Sequence, residues 1–147
     1  MPFIRTLNLT DNSSFQQLVN CSLLGLEELY LENSLMTNFS FNYFPKLSVL
    51  KYSALSAYGT TFSWNYINVN TLDLRNTHIG VFSGNTLPEA TLVYLPPSIT
   101  ILDNNNASKM GSLDMSTPQL TSFSNNSFPS LEGVLQLTGA RFSTLTV

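Results

Sequence analysis

Charge is scarce in this chain of 147 residues, which has only six Lys plus Arg and nine Asp plus Glu. A net charge of −3 argues against a protein that must neutralise nucleic-acid phosphates, so we expect no nucleic-acid partner. One Cys and one His exclude an internal disulfide framework and a multi-Cys zinc site, and they leave little material for His-based chemistry. We therefore predict no metal, no cofactor and no enzymatic activity.

Long apolar runs are also absent. No stretch approaches the roughly 18 apolar residues that span a bilayer, so we expect no membrane insertion from this segment. The first eight residues lack the basic segment and apolar run of a signal peptide. If the chain is complete as given, a cytoplasmic location is expected. If it belongs to a longer protein, we favour the cell surface or the extracellular space.

Uncharged polar residues take the place of charge, with 16 Asn, 19 Ser and 15 Thr making up about a third of the chain. Aromatic residues at 12% give it enough apolar surface to fold. The Asn, Ser and Thr content creates sequons for N-glycosylation, which favour an extracellular location. Four of them fall between the predicted strands, at Asn20, Asn38, Asn106 and Asn125.

An internal repeat runs along the whole chain. The pattern apolar-x-x-apolar-x-apolar appears, for example, as Leu26-x-x-Leu29-x-Leu31 and Val69-x-x-Leu72-x-Leu74. Its copies start near residues 4, 26, 47, 69, 90, 110 and 132, so the interval between successive starts is nearly constant. Such a period predicts a solenoid: a single array of about six to seven repeats over residues 1–147, with no separate caps.

These motifs make the chain resemble the leucine-rich-repeat (LRR) family, whose pattern is L-x-x-L-x-L-x-x-N/C-x-L. The resemblance implies an α/β-type solenoid: a right-handed arc with a parallel β-sheet on its concave face and mostly irregular convex segments. Only Asn12 provides the family's Asn eight residues after a repeat start, so we expect its buried asparagine ladder to be largely absent. The alternative is a parallel β-helix, but 24 Leu against 5 Ile and 7 Val favour the leucine-rich-repeat fold.

The outward positions of the predicted strands carry nine of the 15 charged residues on 35 of the 147 positions. An even distribution would place about four charges there. Because the concave strand face is the binding surface in such solenoids, we predict a protein partner there and no catalysis. The candidate partner-binding residues are Glu28, Tyr30, Glu32, Lys51, Asp73, Arg75, Tyr94 and Asp114.

The alternative function is a structural spacer, or a truncated and uncapped fragment without binding activity. Exposed apolar residues at the uncapped ends would favour end-to-end self-association. These residues are Phe3, Ile4, Phe142, Leu145 and Val147. Cys21 and His78 are interpreted as an inert thiol and a loop residue, and Trp64 is expected to pack on the convex side.

Overall fold

The computed structural model describes residues 4–55, 59–115 and 119–132, together with residues 135, 137, 140 and 141. Over these residues the chain forms a parallel β-solenoid of about five turns without a helix. Fourteen short strands lie on three sides of the coils. The solenoid predicted from the repeat period is therefore confirmed.

The first side, which we call the charged side, is formed by the L-x-L segments. It contains two separate three-stranded parallel sheets, with the strand orders β1-β3-β6 and β9-β11-β13. These strands begin two residues after the first six repeat starts. They are β1 (Thr6–Asn8), β3 (Glu28–Ser34), β6 (Val49–Ala54), β9 (Thr71–Asp73), β11 (Leu92–Leu95) and β13 (Ser112–Met115). Side chains alternate along a strand, so Leu29 and Leu31 are buried while Tyr30 points outward and is only half-buried.

The second side, the phenylalanine side, is one continuous six-stranded parallel sheet. Segments such as Thr60–Ser63 combine β-branched residues with an inward Phe, which suits a half-buried strand. Its strands are β2 (Gln17–Val19), β4 (Asn38–Ser40), β7 (Thr60–Ser63), β10 (Ile79–Ser83), β12 (Ile101–Asp103) and β14 (Ser122–Ser124).

The third side, the short side, is narrow. Its two strands are β5 (Tyr43–Phe44) and β8 (Tyr66–Ile67). Isolated bridges extend this pairing at Ser22, Thr86, Asn106 and Ser127.

Aromatic rings fill the core behind the phenylalanine side. The rings of Phe39 and Phe62 stack with centroids 4.7 Å apart, and those of Phe62 and Phe82 with centroids 5.4 Å apart. Phe123 is also buried, farther along the same side. Because neighbouring coils bring equivalent residues into contact, one column of rings buries a face that no single coil could cover.

A ladder of buried asparagines connects the coils where the phenylalanine side turns into the short side. Its members are Asn42, Asn65, Asn85, Asn105 and Asn126, each at most 7% exposed. In Asn85, Oδ1 accepts hydrogen bonds from the backbone and side-chain N–H groups of Asn65. Its Nδ2 donates to Phe62 O and to Asn105 Oδ1. The turn backbone is thus satisfied inside the fold without water.

The residue before each ladder asparagine, and likewise the residue before Cys21, has a left-handed backbone, at φ between 54° and 66°. Asn and Gly tolerate this conformation, whereas bulky side chains rarely adopt it. The six residues are Asn20, Phe41, Trp64, Gly84, Asn104 and Asn125. We call these residues, the five ladder asparagines and Cys21 the asparagine corner.

Three sequence-based expectations can be compared with the structure. The helix-free, three-sided coils fit the alternative fold, a parallel β-helix, and do not confirm the α/β-type arc. The count of Leu does not separate the two folds, because Leu also fills inward positions of the phenylalanine side, at Leu18 in β2 and Leu102 in β12. An asparagine ladder does exist, but it lies much later in each copy than the family's Asn position, and Asn12 is exposed. Trp64 lies on the asparagine corner, away from the charged side, where it packs on Gly84 and is 53% exposed.

Of the apolar end residues, Ile4 is half-buried against the core. Phe3, Phe142, Leu145 and Val147 lie outside the described residues. Self-association through the ends stays a prediction.

Candidate functional site

The charged side brings the eight predicted partner-binding residues onto one surface. Strand register aligns Tyr30 with Lys51, and it aligns Tyr94 with both Asp73 and Asp114. In a parallel sheet, such aligned side chains lie next to each other on the same face. The candidate residues therefore form two rows of neighbouring groups, one on each sheet of the charged side.

An ion pair and an aromatic ring form the first group on this surface. Arg75 Nη2 lies 2.6 Å from Asp73 Oδ2, and Arg75 Nε lies 3.0 Å from Asp73 Oδ1. The guanidinium also lies over the Tyr94 ring, 4.1 Å from its centroid, in a cation–π arrangement. Two contacts thus hold an exposed Arg in one orientation.

Charge in this group shifts two pKa values. The hydrogen bond from Arg75 holds the pKa of the Asp73 carboxyl below its usual range, and Lys51 contributes in the same direction. Asp73 in turn raises the pKa of Arg75, with a smaller contribution from Asp114. Both partners of the pair are therefore ionised at neutral pH.

A tyrosine between carboxylates forms the second group. The Tyr30 hydroxyl donates to Glu28 Oε2 at 3.3 Å, and the Thr6 hydroxyl donates to the same oxygen at 3.2 Å. Burial is the largest cause that raises the pKa of Tyr30, and the charges of Glu28 and Glu32 raise it further. This end of the surface is acidic.

A cleft of about 510 Å³ lies between the two groups. It occurs where the charged side is interrupted, because β6 and β9 do not pair as strands. The coils meet again beyond the cleft, where Ala54 N–H donates to Asn76 O at 3.1 Å. The lining includes Glu32, Lys51, Tyr52, Asp73 and Asn76. One ammonium group, two carboxylates and one amide thus line the same depression.

Within the part of the chain that the structure describes, no three His, Cys, Asp or Glu side chains come close enough to hold a metal. The charged groups of the site include the solvent-accessible ion pair between Asp73 and Arg75, which lies next to the half-buried Tyr94 ring.

The predicted glycosylation sites differ in access. Asn20 and Asn125 are exposed on the asparagine corner, and Asn106 is exposed on the short side. Asn38 is half-buried in β4, where its Oδ1 accepts a hydrogen bond of 2.6 Å from the Ser40 hydroxyl. Three of the four sequons are therefore open to solvent, and modification stays a prediction.

The sequence analysis missed an aromatic patch beside the ladder. Phe41, Tyr43 and Trp64 are 56%, 43% and 53% exposed, and the Tyr43 and Tyr66 rings lie 4.9 Å apart. The signal was present as two aligned triplets, Phe41-Asn42-Tyr43 and Trp64-Asn65-Tyr66. Comparison of these triplets would have located both the ladder and the patch.

No protein-family model matches this chain, and no curated protein or solved structure shows significant similarity to it. Among the described residues there is no helix that is long and apolar enough to cross a membrane.

Proposed function

We propose that this chain is a non-enzymatic interaction module that binds a protein partner on its charged side. The observation that carries the proposal is the Arg75 side chain, which is held between the Tyr94 ring and Asp73, a residue that lines the cleft. An Arg held in advance loses less side-chain entropy on binding, and Arg and Tyr are enriched among residues that dominate binding energies.

The partner's docking segment is expected to be locally basic. Glu27, Glu28 and Glu32 make the first end of the charged side acidic, and Arg5 offsets part of this charge, with its Nε 3.9 Å from Glu27 Oε1. Lys51 and Arg75 would face acidic groups farther along the partner. Such complementarity mainly sets the association rate and the orientation of docking.

The leucine-rich-repeat resemblance and an extracellular location belong to the same proposal. Strands that begin two residues after the first six predicted repeat starts support the first. Solvent-exposed sequons at Asn20, Asn106 and Asn125 support the second. Expression through a eukaryotic secretory pathway, followed by glycosidase digestion, would test the location by a change in mass.

Capture from native extract would test the docking surface. A variant with Tyr30→Ala, Lys51→Ala, Arg75→Ala and Tyr94→Ala is compared with wild type and with the single variant Arg75→Ala. The control variant Glu89→Ala with Lys109→Ala removes an exposed 2.6 Å ion pair from the turns before β11 and β13. Circular dichroism confirms that each variant is folded.

We expect the control to retain the same proteins as wild type, and the quadruple variant to lose them. Arg75→Ala alone should weaken binding by about 2 kcal/mol, or roughly 30-fold. If the quadruple variant retains the same proteins as wild type, the charged side is not the binding surface. If wild type captures nothing, the spacer function is favoured instead.

A further inference from the structure

The asparagine corner and the short side share a stripe without charge. It runs through the six triplets 20–22, 41–43, 64–66, 84–86, 104–106 and 125–127, and no charged side chain occurs in any of them. The charged side, by contrast, carries most of the chain's charges. A ligand that lies on this stripe therefore meets neither cations nor anions from the stripe itself.

Aromatic rings form flat surfaces within the stripe. A Cβ at Gly84 would overlap the Trp64 indole, so one face of the indole lies directly on the Gly84 backbone. With Trp64 still 53% exposed, its other face is available to a ligand. Tyr43 and Tyr66 lie one coil apart, with ring centroids 4.9 Å apart.

Two of these aromatic residues occupy an unfavourable backbone conformation. Phe41 and Trp64 both have φ of 57° at positions where the other coils have Asn or Gly. A bulky side chain in this region is strained, and residues held in that way concentrate at functional sites. Both rings remain more than half exposed, so burial does not compensate for the strain. The aromatic residues thus cost stability where Asn would not.

The size of the patch argues against a second copy of the chain as its occupant. Half-exposed aromatic side chains at four positions offer on the order of 400 Å². A stable protein interface needs about 800 Å² from each partner. A narrow row that follows the solenoid axis is suited to a thin linear ligand.

We propose that the stripe is a binding site for a linear neutral carbohydrate. A sugar ring has apolar C–H faces that can stack on Trp64 and Tyr43, and hydroxyl groups that need donors and acceptors at its edges. The exposed amide of Asn104, which lies at the equivalent position in a later coil and outside any sequon, supplies both. Apolar surfaces with a few polar groups at fixed positions are typical of small-ligand sites.

The sole tryptophan makes the proposal directly testable, because Trp64 lies in the stripe. The whole chain is titrated with neutral hexasaccharides of glucose, mannose and N-acetylglucosamine, while tryptophan emission is recorded. An anionic heparin hexasaccharide serves as the charged comparison. We expect a saturable change in emission with at least one neutral sugar and none with heparin.

Variants locate the binding site. Phe41→Asn and Tyr43→Ser should each weaken the binding of the same sugar about tenfold by calorimetry, because each removes one ring contact. Leu55→Ser removes a side chain that is 62% exposed and lies outside the stripe, so its affinity should equal that of wild type. Circular dichroism spectra establish that each variant is folded.

Four results would overturn the proposal. They are no response to any neutral sugar, binding of heparin alone, unchanged affinity in both stripe variants, or an emission change that depends on protein concentration and accompanies a dimer in sedimentation. Each of these results leaves the docking proposal for the charged side intact, because that surface shares no residue with the stripe.

Discussion

The asparagine corner and the charged side hold polar groups in opposite ways. At the corner, Asn65 and Asn85 are buried, and the side chain of each forms four hydrogen bonds with neighbouring coils. On the charged side, Asp73 and Arg75 are exposed and form a pair with each other. Removing one partner of a buried network leaves groups that water cannot reach, whereas water replaces an exposed partner. The comparison predicts that substitutions at the corner cost more stability than substitutions on the charged side.

The largest effect is expected from Asn85→Leu. Leu removes the acceptor for Asn65 and the donor to Phe62 O, and it leaves both without a partner in the interior. We expect the free energy of unfolding to fall by about 3 kcal/mol or more, and the melting temperature to fall by about 10 °C. Thermal unfolding monitored by circular dichroism measures it, with Asn76→Ala as an exposed control. A loss no greater than the control's would mean that the ladder does not hold the coils together.

The next effect is expected from Gly84→Ala. The new methyl group would overlap the Trp64 indole, and the backbone φ of 66° strains any residue with a side chain. We expect Gly84→Ala to lower the free energy of unfolding by about 2 kcal/mol in wild type, and by about 1 kcal/mol in the Trp64→Ala background. The difference is the coupling energy of a double-mutant cycle. Equal losses in the two backgrounds would contradict the contact between indole and backbone.

A gain in stability is expected from Phe41→Asn, the one change here that should strengthen the fold. Because Asn tolerates the left-handed backbone, we expect the free energy of unfolding, measured in urea, to rise by about 0.5–1 kcal/mol. The reciprocal change, Asn104→Phe, should cost a similar amount at the equivalent position. Were both changes neutral, the backbone at the corner would carry no strain.

The smallest effect is expected on the charged side, from Asp73→Asn. Arg75 lowers the pKa of Asp73 below its ordinary value of 3.8, so the stabilisation is fully present above that pH. It is lost as the pH falls through the pKa of the folded state. Because both side chains are well exposed, we expect the free energy of unfolding of Asp73→Asn to be only about 0.5 kcal/mol below that of wild type near pH 7. Urea unfolding of both proteins from pH 7 to below pH 3.8 measures this difference. If it stayed constant over that range, ionised Asp73 would not stabilise the fold through Arg75.

The charged side could be predicted from the sequence, because one pattern determines it. The alternation of Leu29, Tyr30 and Leu31 places buried and outward residues correctly, and the spacing of the motif gives the strand starts. Charge on Asp73 and Arg75 then falls on the exposed face. Periodicity was sufficient there because apolar residues occupy the same offset in successive coils.

The corner could not be predicted by the same means. The ladder spacing changes from one pair of coils to the next, so Asn42, Asn65 and Asn85 do not keep one offset from the repeat starts. A family pattern with its Asn at another offset directed attention to Asn12. Nor could the conformation of Phe41 be predicted, because large aromatic residues rarely adopt positive φ. Local preference was overridden there by the geometry of the stacked coils.

The ladder also sets how the chain can fold. Each of its contacts between coils joins residues 20 to 26 positions apart, so the loop that each new coil closes has almost the same length. The entropic cost of closure is then nearly equal for every coil. Folding can start at any pair of coils and propagate in both directions, and no ladder contact has to wait for the two termini to meet.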